Sequence, residues 1–451
     1  MRPRVLLALI VVQSLLAGFW APALHAGAAA RPNVLLIVTD DQRTDTLSMM
    51  PAARRWLGNG GTQYGRAFAT TPLCCPSRAS ILTGLLAHNH GVIHNENDEA
   101  TLVAAEAQMM QHAMQASGYR TGIFGKYLNR WPVSRDPEGW DRWAVPERGT
   151  YVDSEWNIDG TVEVVHLNST PFIGERALDF IHQAERRDDS EPWFGYVAFN
   201  APHLPSTVPA GYEDEPVAPL SRDPAMNERD LDDKPWWVRH KPYRSTSRIE
   251  STRVPMLRSL VPVDDQIDRL LFELEDLGEL DDTLVVFTSD NGFLWGEHHL
   301  MGKRAPYMPS VNVPFLVRWP GHVAAGRSDG SLVGLLDLAP TILTAAQAPF
   351  PHEMDGIDIL DDARRRLPLE FWGSEEQVPT WRGVVARSWV YVEHLRDDGR
   401  IREREYYDLR KDPHQLSNVY RDGNPNNNPS VTRLEKLVQR LSTCVGHGCV
   451  D

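Results

Sequence analysis

Cysteine is scarce: four in 451 residues, at positions 74, 75, 444 and 449. Basic residues are outnumbered, 46 Lys and Arg against 61 Asp and Glu, for a formal net charge of −15. That balance excludes a nucleic-acid-coating role, which needs a basic surface to gather phosphates. A small anionic substrate stays open, provided cations gather locally. No fixed-period repeat or extended low-complexity tract interrupts the chain, and its 42% hydrophobic content can build a large core. Length alone allows two or three domains.

Long apolar runs are also few. One extends from Val5 to about Phe19, after Arg2 and Arg4 and before Ala-Leu-His-Ala-Gly-Ala-Ala-Ala. This three-part pattern is that of a secretory signal and is too short for a membrane span. A signal peptide is expected over 1–28, with the mature chain starting between Gly27 and Arg31, a secreted or periplasmic destination and no stable membrane anchor. Outside the cytoplasm disulfides persist. Cys444 and Cys449 close Cys-Val-Gly-His-Gly-Cys, whose glycines leave it free to bridge. A small disulfide is expected there rather than zinc, which would need Cys74 or distant histidines.

Asn33–Thr39 is an apolar run of strand length ending in Asp40-Asp41-Gln42. Trp193–Phe199 ends in Asn-Ala-Pro-His, and Thr283–Thr288 in Ser-Asp-Asn-Gly. Such runs suit strands buried on both faces. Between them lie helical patterns over Glu106–Ala116, Ile173–Glu185 and Val263–Leu277. This alternation predicts an α/β fold, a mostly parallel sheet covered on both faces, whose strand carboxyl ends form the ligand crevice. Leu338–Ala346 reads as a helix. Beyond it, short strands at Gly383–Ala386 and Trp389–Val392 and a helix near Val431–Leu441 predict a smaller α+β domain over 350–451. Ser221–Thr252, rich in charge, Pro and Trp, reads as a long loop, at the mouth of the site or simply structural.

Two of the four cysteines adjoin in Cys74-Cys75-Pro76-Ser77-Arg78-Ala79-Ser80-Ile81-Leu82-Thr83-Gly84. Packing alone would explain a buried Cys. Pro76, however, can open a helix whose Ile81, Leu82 and Leu85 face a core, and Cys74 would then stand just outside the helix N-terminus, where backbone N–H groups favour an anion. Asp40, Asp41, Asp290 and Asn291 at strand ends are ligands of the kind hard cations prefer. Alone, Asp-Asp after a strand reads better as a helix cap and Asp-Asn-Gly as a turn; both ending buried strands favours a shared metal. Arg78, Lys126, His203 and Lys303, each alone an ordinary surface charge, together describe a pocket for a tetrahedral anion.

These motifs resemble the formylglycine-dependent sulfatases of the alkaline phosphatase-like superfamily over nearly all of residues 31–420. The resemblance rests on Thr-Asp-Asp-Gln, Cys-x-Pro-Ser-Arg with Leu-Thr-Gly behind it, Gly-Lys, Ala-Pro-His-x-Pro, Ser-Asp-Asn-Gly with a following Lys, and Tyr406-Tyr407-Asp408-Leu409 with Asp412-Pro413. It implies a large mixed, mostly parallel sheet sandwiched by helices, a catalytic domain over 29–349 and a smaller C-terminal part. It also implies that a formylglycine-generating enzyme oxidises Cys74 before folding, with Cys75 the variable position. The hydrated aldehyde is then a geminal diol, one oxygen attacking sulfur and the other later expelling sulfate. By the same resemblance Ca2+, or Mg2+, is bound by Asp40, Asp41, Asp290, Asn291 and the diol of residue 74, and Arg78 holds that diol. Lys126, His203 and Lys303 grip the sulfate, with His203 or Lys303 as proton donor; no role follows for His298.

Many family members read Gly-Lys-Trp-His where this chain has Gly125-Lys126-Tyr127-Leu128-Asn129, which puts the usual His in doubt at Leu128. That stretch, Leu-Cys-Cys-Pro-Ser-Arg and Ala87-His88-Asn89-His90 are similar to the branch containing the N-acetylglucosamine-6-sulfatases. The implied substrate is a small-molecule or glycan sulfate monoester, with N-acetylglucosamine 6-sulfate as one candidate. Two alternatives share the motifs: a phosphate or phosphonate monoester hydrolase, and a non-catalytic sulfated-glycan binder if Cys74 is not converted.

Overall fold

Ten strands line up in one sheet: β1 (Asn33–Thr39), β2 (Thr62–Tyr64), β3 (Arg120–Gly125), β4 (Arg142–Pro146), β5 (Ser154–Ile158), β6 (Thr161–Val165), β7 (Trp193–Ala198), β8 (Thr283–Ser289), β9 (Phe315–Arg318) and β10 (Arg327–Asp329). Their order is β10-β2-β9-β8-β1-β7-β3-β4-β5-β6. The central run from β8 to β4 is parallel, and the flanks add antiparallel pairs. This computed structural model describes residues 31–187, 191–220 and 223–450; the expected secretory segment, 1–28, lies outside them.

β1 is buried at every position, because each face of the sheet carries its own helices. The helices with a part in the site and its flank are α1 (Cys74–Thr83), α2 (Ser169–Arg187), α3 (Thr246–Leu277), α4 (Leu338–Ala345) and α5 (Val431–Leu441). Leu35 and Ile37 point into a core with Ile173 and Phe180 of α2 and Ile267 and Leu270 of α3. Val34, Leu36 and Val38 point the other way, to Ile81 and Leu82 of α1 and Ile342 and Leu343 of α4. The two-residue period of a strand thus serves two cores.

A second, antiparallel sheet holds β11 (Arg366–Phe371), β12 (Trp381–Ala386), β13 (Trp389–Leu395) and β14 (Ile401–Asp408), in that order. Leu367, Val385, Val390 and Tyr407 share one cross-strand row and Pro368, Val384, Tyr391 and Tyr406 the next, so the two rows face opposite sides. Cys444 and Cys449 are disulfide-bonded, as expected.

Three expectations change. The long loop over 221–252 gives way at Thr246 to α3, whose N-cap Ser245 accepts a hydrogen bond from the Arg248 N–H. Pro255 and Pro262 lie inside that helix and obscured its period, while Ile249, Met256 and Leu260 keep its buried stripe. The helix expected over 106–116 is two, Glu99–Glu106 and Met110–Ala116. Finally, Cys74 is the first residue of α1, with Leu73 as N-cap and the Leu73 carbonyl accepting from the Ser77 N–H. Pro76 therefore sits within the first turn instead of opening it.

Candidate active site

Thr39 and Ser289 are register partners on the parallel strands β1 and β8, so Asp40 and Asp290 leave the sheet side by side. Lys126 follows β3, and His203 lies in the loop after β7. All four belong to the carboxyl edge of the parallel strands, where such sheets hold their ligands. Gly125 makes the approach of Lys126 possible: its φ is +104°, and a Cβ there would meet the Ala198 carbonyl oxygen at 2.0 Å. Asp41 also has a left-handed backbone, φ +68°, and its N–H donates to Asp290 Oδ1 at 3.2 Å.

Around Cys74 the expected residues converge. Its thiol faces Asp40 Oδ1 at 3.4 Å, and Lys303 Nζ donates to its sulfur at 2.7 Å and also to Asp41. Lys126 donates to Asp40. Arg78 donates to Asp290 Oδ2 at 2.7 Å and to the Lys126 carbonyl at 2.6 Å, and its Nη2 lies 3.8 Å from Asp40. His203 Nε2 is 3.8 Å from Asp41 Oδ2, and its side chain is 33% exposed, more than that of any other site cation. Asn291 donates to Asp41 Oδ1 at 2.6 Å.

Burial opposes ionisation of Asp40, but Lys126, His203, Lys303 and Arg78 outweigh it and hold the carboxyl far below the usual carboxylate range. Asp290 moves the other way, raised by burial and by Asp40 against the pull of Arg78. Burial, with Asp40, pushes the Cys74 thiol up to about 12 despite the two lysines. An unmodified Cys74 is therefore a neutral thiol and a poor nucleophile.

Asp40, Asp41, Cys74 and Asp290 each offer a ligand atom within 4.8 Å of one another. The Asn291 carbonyl oxygen is buried and has no hydrogen-bond partner. An oxygen-dominated donor set with one orphaned acceptor fits Ca2+ or Mg2+ better than a softer metal.

Two cavities sharing Gln377 and Val378 lie beside this centre. One, of about 240 Å3, is lined by Lys303, Trp237 and Arg244; the other, of about 300 Å3, by Leu73, His94, Glu96, Arg304 and Trp372.

Sequence reasoning missed three supports. Asn95 Oδ1 accepts from the Cys75 N–H at 3.0 Å, filling one of the open donors of α1; its loop, His-Asn-Glu-Asn, carries no motif. Arg43, directly after Asp-Asp-Gln, donates to Glu297 at 2.6 Å and to the Phe293 carbonyl at 3.1 Å, tying the loops after β1 and β8 together. His298 is locked by Glu228 at 2.7 Å and packs at a tilt against Tyr307, ring centroids 4.2 Å apart. Leu128 is buried in the core that also holds Tyr127 and Trp131, so its position contributes packing and no imidazole.

Residues 32–348 match the family profile described as Sulfatase, and residues 296–443 the one described as N-sulphoglucosamine sulphohydrolase, C-terminal. The extracellular sulfatase SULF-1 homolog of Drosophila melanogaster is 34% identical over 351 residues, 73% of this chain and 31% of that protein. The N-acetylglucosamine-6-sulfatase of Homo sapiens is 31% identical over 390 residues, 80% of this chain and 67% of that one. The chain thus spans about a third of the fly relative. A solved structure of BT4656 in complex with its substrate D-glucosamine-2-N,6-O-disulfate superposes with a TM-score of 0.73 at 24% identity, covering 91% of this chain and 97% of the other; it shares the fold. A mixed, mostly parallel sheet between helices, a small antiparallel sheet behind it and a profile match over most of the sequence make this chain a member of the sulfatase family, within the alkaline phosphatase-like superfamily.

Proposed function

We propose that this protein is a secreted or periplasmic sulfatase that hydrolyses a sulfate monoester on a sugar, with N-acetylglucosamine 6-sulfate the first candidate. The observation that carries the proposal is the convergence on Cys74, at the first position of a helix, of the oxygen ligands Asp40, Asp41 and Asp290 and the cations Arg78, Lys126 and Lys303. The glucosamine preference draws on the human relative's name and on Gly-Lys-Tyr-Leu-Asn. The division into a catalytic part, 29–349, and a smaller part, 350–451, belongs to the same proposal.

Conversion of Cys74 to formylglycine by a generating enzyme would replace an inert thiol with a hydrated aldehyde, whose two oxygens serve in attack and in release of sulfate. Asp40, Asp41, Asp290 and Asn291 would hold Ca2+, which supplies Lewis acidity next to residue 74. Arg78, fixed between Asp290 and the Lys126 carbonyl, keeps residue 74 and the strand ends in register. Lys126 and Lys303 sit close enough to Cys74 and the carboxylates to exchange those contacts for sulfate oxygens, so that charge developing in the transition state meets positioned donors. His203, the most exposed of the site cations, is placed to protonate the departing alcohol.

The test is a comparison of kcat/KM for matched aryl sulfate, phosphate and phosphonate esters, followed by a panel of sulfated monosaccharides. Sulfate is expected to win by a wide margin, and a phosphate or phosphonate winning would overturn the proposal. Indifference to sugar position would remove only the glucosamine preference.

A further inference from the structure

A second group of cations lines a cavity of the C-terminal sheet, on the side served by α5. The row Arg366, Ala386 and the Trp389–Asp408 pair lies on the same face as the row ending in Tyr406. Trp389 and Tyr406 stack nearly parallel there, ring centroids 5.8 Å apart with 20° between planes. Beside them α5 places Arg433, Lys436 and Arg440 on one stripe, at i, i+3 and i+7. Together with Arg366 these groups line a cavity of about 630 Å3, and no acidic residue lines it among the described residues. The single carboxylate of α5, Glu435, is engaged by Arg404.

That arrangement runs against the rest of the molecule. In a chain of net charge −15, four cations line one cavity. Two half-buried aromatic rings add a flat apolar platform, of the kind that sugar rings share with aromatic side chains. Cations alone would suit many anions; cations around a stacking platform suit an anionic sugar. The opposite face of the sheet is turned to the main body, where Glu405 of β14 accepts from Tyr307 at 3.0 Å, so this cavity is separate from the centre at Cys74.

We propose that the Trp389–Tyr406 cavity with Arg366, Arg433, Lys436 and Arg440 is an auxiliary binding site for a sulfated or carboxylated oligosaccharide. It rests on the sulfated-sugar proposal above for its choice of glycan, and its role is to hold a polymeric substrate while chain ends are processed elsewhere. Sulfate and carboxylate present the same chemistry to guanidinium and ammonium groups.

The experiment measures binding of a size-defined sulfated glycosaminoglycan hexasaccharide to the full chain carrying Cys74→Ala, so that turnover does not enter. An unsulfated uronic-acid hexasaccharide separates the two anion sources, and single-stranded DNA and vesicles of anionic phospholipid are run alongside. Both changed side chains in Arg433→Gln/Lys436→Gln are exposed on α5, so the fold should be kept. The double variant should weaken hexasaccharide binding roughly five- to tenfold, with kcat/KM for a small aryl sulfate unchanged in the corresponding enzyme with native Cys74. Trp389→Phe should keep most of the affinity and Trp389→Ala lose it. Affinity unchanged in the double variant would overturn the proposal, as would DNA or vesicles binding as tightly as the sulfated hexasaccharide. Absence of aryl sulfatase activity in the enzyme without these substitutions, with hexasaccharide binding intact, would instead count against the catalytic proposal alone, and loss of that activity in the double variant would overturn the separateness of the cavity.

Discussion

Arg78 and Asp290, 212 residues apart, meet at 2.7 Å with both side chains fully buried. The contact joins the helix that begins at Cys74 to the end of β8, so it sets where the first turn of α1 lies relative to the strand-end carboxylates. Removing one partner of a buried ion pair leaves the other charge uncompensated, at a cost of about 3–5 kcal/mol. Asp290→Asn should therefore lower the unfolding free energy, read from urea denaturation, by that order as well as abolish turnover. The double variant Arg78→Met/Asp290→Asn should recover part of the stability and none of the activity. Additive losses would show that the two residues act independently.

Metal removal should destabilise the protein. Asp40, Asp41 and Asp290 crowd one another within a buried site, and an ion that binds only the folded state adds stability by mass action. Chelation should lower Tm, and Ca2+ should restore both Tm and activity. Full metal stoichiometry in Asp290→Ala would remove that residue from the ligand set.

Of the paired cysteines, only Cys74 should be needed. Peptide mass spectrometry should find formylglycine at 74 and a thiol at 75. Cys74→Ala should lose activity entirely, whereas Cys75→Ala, a small trim in a packed core, should cost about 1 kcal/mol and leave turnover near normal. An unmodified Cys74 in fully active enzyme would end the mechanism.

Glu106 predicts a pH effect away from the site. It is buried beneath Tyr127, which donates to it at 3.0 Å, and burial raises its carboxyl from 4.5 to about 7. The folded state holds this proton more tightly than the unfolded chain, so its stabilisation is full below pH 4.5 and disappears as pH rises through 7. The amount at stake is on the order of 3 kcal/mol. Glu106→Gln should flatten that part of the stability profile, read from urea midpoints at pH 5, 6, 7 and 8. An identical slope in variant and wild type would place the titration elsewhere.

The parts of the fold legible in the sequence were those with unbroken pattern. The apolar runs at β1, β7 and β8 and the stripe of α5 declare themselves, because full burial and strong amphipathicity each leave a signature in a single segment. α3 hid its first four turns behind Pro255 and Pro262, which tertiary packing tolerates and local propensity does not. The site divided in the same way. Asp40, Cys74, Lys126 and Asp290 sit in motifs at strand or helix ends, whereas Asn95, Glu297 and Glu228 act through partners up to 254 residues away and lie in stretches without local signal.

The C-terminal loop is less peripheral than its sequence position suggests. The Cys444 carbonyl accepts from His88 and from Asn89, and Asp355 receives the Gly446 N–H together with that of Leu86. Breaking the bridge should thus disturb the segment directly after α1, and Cys444→Ser tests it: a lower Tm with kcat for an aryl sulfate kept would confine the effect to stability.

Cys74 has no exposed surface in the folded protein. A macromolecular catalyst that alters its side chain must therefore meet the chain while α1 is still undocked, in competition with closure of the sheet behind it. On the proposed mechanism, the active fraction of a preparation would record two rates during synthesis, and later incubation of folded, unconverted protein with a converting enzyme should not raise it.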